Sequence, residues 1–220
     1  MFKAMILSAV LATSPVYQDP THEPLSVAAT AASSCTKITK ENKMTFDRGQ
    51  FRELITDTLH AFSDQIPFSD TAIELLMLTA SQESGLGRYI RQTKGPALGV
   101  FQVEPNTHKN MWINVIKGKR YQFAARLLAT ALALPERMML DYVTAMGESG
   151  GEAIHRSLLP QLKGNLIYQI LISRLYYYMI PQGLPSNTPR ALAEYWKQYY
   201  NTPLGKGTVD EAVANYAKYS

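Results

Sequence analysis

Residues 72–107 read AIELLMLTASQESGLGRYIRQTKGPALGVFQVEPNT, and the first half of this stretch decides the fold class. From Thr71 onward, Ile73, Leu76, Met77 and Ala80 recur at three- and four-residue steps, the period of one helix face. Thr71 followed by Glu74 has the form of a capping box, and Asp70 adds negative charge at the helix start, so a helix is predicted over 71–84. Glu83 continues the line of Leu76 and Ala80, which carries a carboxyl group at the end of an apolar stripe. Desolvation there disfavours the charged form and raises the pKa, as a general acid near neutral pH requires. On periodicity alone the commoner case is a structural carboxylate at a helix end with its head in water.

The second half of the stretch breaks the helix. Gly85, Gly87, Gly95 and Gly99, with Pro96, are too many for a helix interior, so the chain turns over itself before Phe101. Gln102 closes the loop nineteen residues after Glu83. Pro105 suits the first turn of a new helix that carries Trp112, Ile113 and Ile116 toward the core and ends at Gly118.

Outward from this centre the pattern stays helical. Upstream, Phe51, Leu54, Ile55, Leu59 and Phe62 keep helical spacing to Pro67. Downstream, apolar stretches run over 123–134, 137–146 and 166–179, with Pro135 at a helix start and Pro160 and Gly164 marking a break before the third. Asn165 is placed to cap that third helix. Thr188 with Pro189 opens another helix, and Thr208 with Glu211 forms a capping box for the last. Strand signals are almost absent. The expected fold class is mainly α, with a globular domain over 45–220.

Residues 1–44 differ in composition. Lys3 and AMILSAVLA resemble the start of a secretory signal peptide, and the next thirty residues are rich in Ala, Ser, Thr and Pro. The segment reads either as a signal-like start or as an extended, flexible N-terminal arm that docks on a partner.

With 220 residues, 46% of them hydrophobic, the chain can bury a substantial core without covalent staples. Its single cysteine, Cys35, excludes an intramolecular disulfide framework. His22, His60, His108 and His155 are scattered, each read as a packing or surface residue, so neither metal nor cofactor is expected. A net charge of +4 gives mild attraction to anionic polymers. The basic residues form no stripe, and Lys117, Lys119 and Arg120 read as a solvated loop, so nucleic acid is not an expected partner.

The run QESGLG followed by TKGPALGVFQVEP resembles the soluble-type lytic transglycosylases, whose signature is Glu-Ser, a loop, then Gly-Leu-Met-Gln. Here the second element is Gly99, Val100, Phe101, Gln102. GPALGVFQ and YWKQYYNTPLGKGT make the likeness closer to the branch found in bacteriophage particles. It covers about residues 45–219. Glu148, Ser149 and Gly150 repeat the dipeptide without the closing element, and Glu148 is read as a loop residue.

The resemblance implies a lysozyme-like α fold and cleavage of the β-1,4 bond between N-acetylmuramic acid and N-acetylglucosamine in peptidoglycan glycan strands, leaving a 1,6-anhydro sugar. It assigns Glu83 as the catalytic acid and base. Gln102 is assigned to hydrogen-bond sugar or hold the loop, against capping the next helix. Ser84 joins the substrate side chiefly by fixing the helix end, and Thr93 stands where the family often places a sugar-contacting Ser. The family's third signature, Ala-Tyr-Asn-Ala-Gly, is matched only by Ala193, Glu194, Tyr195 and Trp196. Tyr195 is expected to reach toward Glu83 and Trp196 to offer a sugar-stacking face, with core packing as the alternative for both. Glu104 and Asp70 are the candidates for a second carboxylate, which a hydrolytic muramidase would need. The phage likeness implies a virion-associated enzyme acting at the cell wall, with other virion proteins as partners through residues 1–44. A virion adaptor that keeps the fold without activity is the rival from another class.

Overall fold

The computed structural model describes residues 45–117, 121–146, 151–201 and 205–219. The segment 1–44, the residues Gly118, Lys119 and Arg120, and Glu148 with its neighbours lie outside the described residues, and with them the expectations placed there. Among the described residues the chain forms nine helices and no strand, so it is mainly α. In order they are α1 (Arg48–His60), α2 (Asp70–Ser84), α3 (Pro105–Lys117), α4 (Tyr121–Leu132), α5 (Glu136–Met146), α6 (Gly151–Gly164), α7 (Leu166–Tyr178), α8 (Pro189–Tyr199) and α9 (Val209–Lys218). No described helix is long and apolar enough to cross a membrane.

Helix α2 is the axis of the domain, packed against α1, α7, α8 and α9. Ile73, Leu75, Leu76, Met77 and Leu78 are all at most 1% exposed, so the helix buries every face rather than the single stripe read from the sequence. Each such side chain contributes on the order of 1.5–3 kcal/mol relative to exposure. The start of α2 also differs from expectation. Ser69, not Thr71, is the N-cap, accepting from the Ala72 N–H at 3.1 Å. Glu74 is thereby released from capping. Its half-sunken carboxylate takes Arg52 at 2.7 Å and Arg48 at 3.7 Å and accepts from the Tyr216 hydroxyl, tying α1 and α9 to the axis.

Other caps follow the sequence. Asn165 Oδ1 accepts from Tyr168 N–H at 3.0 Å, Thr188 caps α8, and Thr208 and Glu211 form both bonds of the capping box of α9. Helix α6 is a correction. It runs through Pro160, which costs the bond to the carbonyl four residues earlier. Burial of His155, Leu158 and Leu162 against its neighbours outweighs that loss.

The start of α3, which borders the site described next, is anchored by two buried histidines. Trp112 Nε1–H donates to His108 Nε2 at 3.0 Å, which makes that nitrogen an acceptor and places the ring proton on Nδ1. Tyr168 OH lies 2.6 Å from the same nitrogen. His155 Nε2–H donates to the Pro105 carbonyl at 2.9 Å, and the two imidazoles lie 5.1 Å apart. Burial, and secondarily His155, push the His108 pKa down to about 3. Both histidines are therefore packing residues, but as a pair rather than scattered.

Candidate active site

Glu83 stands in the last turn of α2, where three consecutive left-handed residues reverse the chain: Gly85 (φ 62°), Leu86 (φ 54°) and Gly87 (φ 81°). A leucine in this region is strained by about 1–2 kcal/mol, and burial of its side chain to 1% exposure offsets that cost. Ser84 locks the turn. Its hydroxyl donates to the Ala80 carbonyl at 3.1 Å and accepts from the Gly87 N–H at 2.9 Å. At 1% exposure it offers substrate no surface, so of its two expected parts the structure leaves it the fixing of the helix end and not a contact with substrate.

The loop then folds into a short three-ply tongue. Leu98 bridges Arg91 on one side and Val103 on the other. Gly99 (φ 77°) sits where a Cβ would lie 2.1 Å from the Leu162 carbonyl, so only glycine fits. Gln169 Oε1 accepts from the Val100 N–H at 2.6 Å, and the Tyr200 hydroxyl donates to the Phe101 carbonyl at 2.7 Å. Gln102 is itself left-handed (φ 48°), and its Nε2 donates to the Gly99 carbonyl at 2.6 Å. The amide thus holds the loop, one of its two expected roles, rather than capping α3.

Two adjoining cavities of about 510 and 340 Å³ border this tongue, both of which Glu83, Gln92 and Gln102 line, and the larger reaches the residues that follow α8. Glu83 therefore borders both spaces. The larger is bordered by Glu104, Tyr176, Tyr200 and Lys206, and the smaller by Tyr89, Arg91, Thr93 and Lys94. Glu83 keeps some surface toward the cleft although protein atoms crowd its carboxyl. Desolvation raises its pKa from 4.5 to about 7, opposed by the N–H of Trp196. Trp196 Nε1 donates to Glu83 Oε1 at 2.9 Å. A carboxyl so placed is divided between acid and base near neutral pH, with one oxygen held by a fixed donor.

The structure brings Glu83, Gln102, Thr93 and Trp196 together, but Trp196 differs in kind from expectation. It is 0% exposed and cannot offer a sugar a face; it works through its N–H. Tyr195 points elsewhere, its hydroxyl donating to the Gln182 carbonyl at 3.0 Å and its ring against Tyr177 and Tyr199. Tyr200 holds the cleft position that Tyr195 was expected to take. Its own hydroxyl is pushed well above its ordinary range, first by burial and then by the nearby Glu83. Asp70 begins the helix that Glu83 ends, about 20 Å away at 1.5 Å per residue, which excludes it as a partner. Glu104 is exposed and lines the larger cavity. The residues missed from sequence are Tyr89, the exposed aromatic ring at the smaller cavity, with Arg91, Lys94 and Tyr200. Among the described residues no three His, Cys, Asp or Glu side chains gather in a way that could hold a metal ion. Compared with known proteins, the chain matches no family model, no curated protein and no solved structure.

Proposed function

We propose that the chain is a peptidoglycan lytic transglycosylase with a lysozyme-like domain over 45–220 and an N-terminal arm over 1–44. The reading rests on its likeness to the soluble-type and phage-borne enzymes and on one observation: Glu83, a carboxyl titrating near 7, lines two adjoining cavities. A glycan strand laid along that cleft passes Glu83 with sugars on either side. Protonated Glu83 donates to the glycosidic oxygen, the bond to the anomeric carbon of the muramic acid breaks, and positive charge develops on that sugar. The resulting carboxylate, held by the Trp196 N–H, stabilises that charge and then takes the proton from the same sugar's 6-hydroxyl. The hydroxyl oxygen closes onto the anomeric carbon. The products are a 1,6-anhydro end and a free sugar hydroxyl, and Glu83 is again protonated, with no water consumed. One carboxyl performs both transfers, so the cycle needs no second one. In a phage particle such an enzyme opens the wall locally during entry, with the arm engaging other virion proteins.

A hydrolytic muramidase is the second reading, because Glu104 lines the cleft and is able to serve as a base toward water. Digestion of purified peptidoglycan with the wild type and Glu83→Gln, followed by mass analysis of the fragments, separates the two. Anhydro ends, lighter by one water, support the transglycosylase. Reducing ends support the muramidase. No release by the wild type removes both and leaves an inactive virion adaptor.

A further inference from the structure

The two cavities that Glu83 lines differ in charge. The larger cavity has both Lys206 and the exposed Glu104 in its lining. The smaller has Arg91 and Lys94 on its wall, and among the described residues its only acidic lining residue is Glu83. Below the Glu83 pKa of about 7 that carboxyl is neutral, so the smaller cavity then holds two positive charges and no negative one. Elsewhere Arg48 and Arg52 meet Glu74, Arg126 meets Asp64, and Arg190 meets Glu194 and Asp210. Among the described residues neither Arg91 nor Lys94 has an acidic partner. Their placement is not left to the loop's freedom. Arg91 is bridged to Leu98, and the Gln92 N–H donates to the Ala97 carbonyl at 2.9 Å, which fixes the base of the turn that carries Lys94. Tyr89 adds an exposed ring beside them on the same wall.

We infer that the smaller cavity is an anion subsite, in which Arg91 and Lys94 bind a carboxylate carried by the saccharide next to the bond that Glu83 attacks. This rests on the reading of the cleft as a glycan site. A guanidinium presents paired N–H donors that match a carboxylate, and Lys94 adds a mobile second charge. Tyr89 supplies an apolar surface for the sugar ring that bears the acid. The site thus selects acidic glycans over neutral ones. In peptidoglycan the carboxylate has two sources, the lactyl ether of muramic acid where no peptide is attached and the acidic residues of the stem peptide.

The test measures binding, so that it does not depend on turnover. Soluble peptidoglycan strands are prepared in native form and with their carboxylates converted to neutral amides by carbodiimide and ammonia. Both are titrated by calorimetry against Glu83→Gln, alone and combined with Arg91→Gln and Lys94→Gln. Native strands are expected to bind the single variant about five- to tenfold more tightly than amidated strands, and the combined variant is expected to bind the two equally, at the weaker level. Equal affinity of the single variant for both strands, or an undiminished preference in the combined variant, overturns the inference. Strands stripped of stem peptides by an amidase, and only then amidated or left as they are, locate the acid: a preference for the unamidated stripped strands shows that the lactyl group is bound, and no preference places the acid on the peptide. If the binding difference holds while the wild type releases no fragments, the cleavage reading falls and the anion subsite stands.

Discussion

Replacing Glu83 by glutamine is expected to stabilise the protein increasingly as pH rises above about 4.5, with the full gain reached above about pH 7. The carboxyl titrates at about 7 in the fold against an ordinary 4.5, because burial disfavours its charge. Between these two values the folded chain holds a proton that the unfolded chain has released, so stability falls as pH rises through that window. At 1.36 kcal/mol per pH unit the full loss is about 3 kcal/mol, absent below pH 4.5 and complete above pH 7. The small surface that Glu83 keeps toward the cleft reduces this to about 2–3 kcal/mol. Glutamine has nearly the same shape, does not titrate, and leaves a carbonyl oxygen to accept from Trp196. For a domain of this size the gain corresponds to a rise in Tm of roughly 5–10 °C at pH 8 and close to none at pH 4. Scanning calorimetry of both proteins at both pH values gives the double difference, which cancels every other titrating group. An equal change at the two pH values, or a loss at pH 8, would show that Glu83 is not held as a desolvated carboxyl.

Trp196→Phe removes the donor that favours the Glu83 carboxylate, so the alkaline limb of the pH–rate profile on peptidoglycan is expected to move up by about one pH unit; an unmoved limb would mean that the indole only fills space. Gly99→Ala must place a methyl group against the Leu162 carbonyl at an unfavourable φ, and urea denaturation is expected to show a loss of at least about 3 kcal/mol. His108 has a folded pKa depressed to about 3, so the unfolded chain binds the extra proton and stability is lost as pH falls below the ordinary 6.5. The contribution is about 1.4 kcal/mol per pH unit over the range down to about 3. His108→Leu, which leaves Trp112 its bond to Tyr168, should flatten the acid side of the stability profile by that amount.

Local chemistry wrote most of the helices into the sequence. Thr208 with Glu211, Thr188 with Pro189, and Asn165 each act within a few residues of themselves, so their caps are legible without the fold. The capping box expected at Thr71 gives way to Ser69, an equally good cap two residues earlier, and the tertiary contacts of Glu74 decide between them. Helix α6 was hidden by Pro160, a local breaker overridden by packing. At the site, Glu83 was legible only through the glycine-rich loop and Gln102 that follow it, because a carboxyl ending an apolar stripe is by itself more often structural. The exchange of Tyr195 for Trp196 was not. Adjacent helical residues point about 100° apart, and which of them meets a carboxylate 113 positions away is fixed by how α8 rolls against α2. Arg91 and Lys94 look like any loop cations until the cleft gives them a common wall.

The tongue's base is closed by the Gln92–Ala97 bond and by the Gly99 N–H to the Ile90 carbonyl, both at 2.9 Å, while residues 93–96 project beyond it. Insertions or deletions confined to 93–96 therefore change the cleft's rim without moving Glu83 or Gln102. That makes the tip an evolvable position, where loop length and composition can vary, and libraries can be built, on an unchanged frame around Glu83.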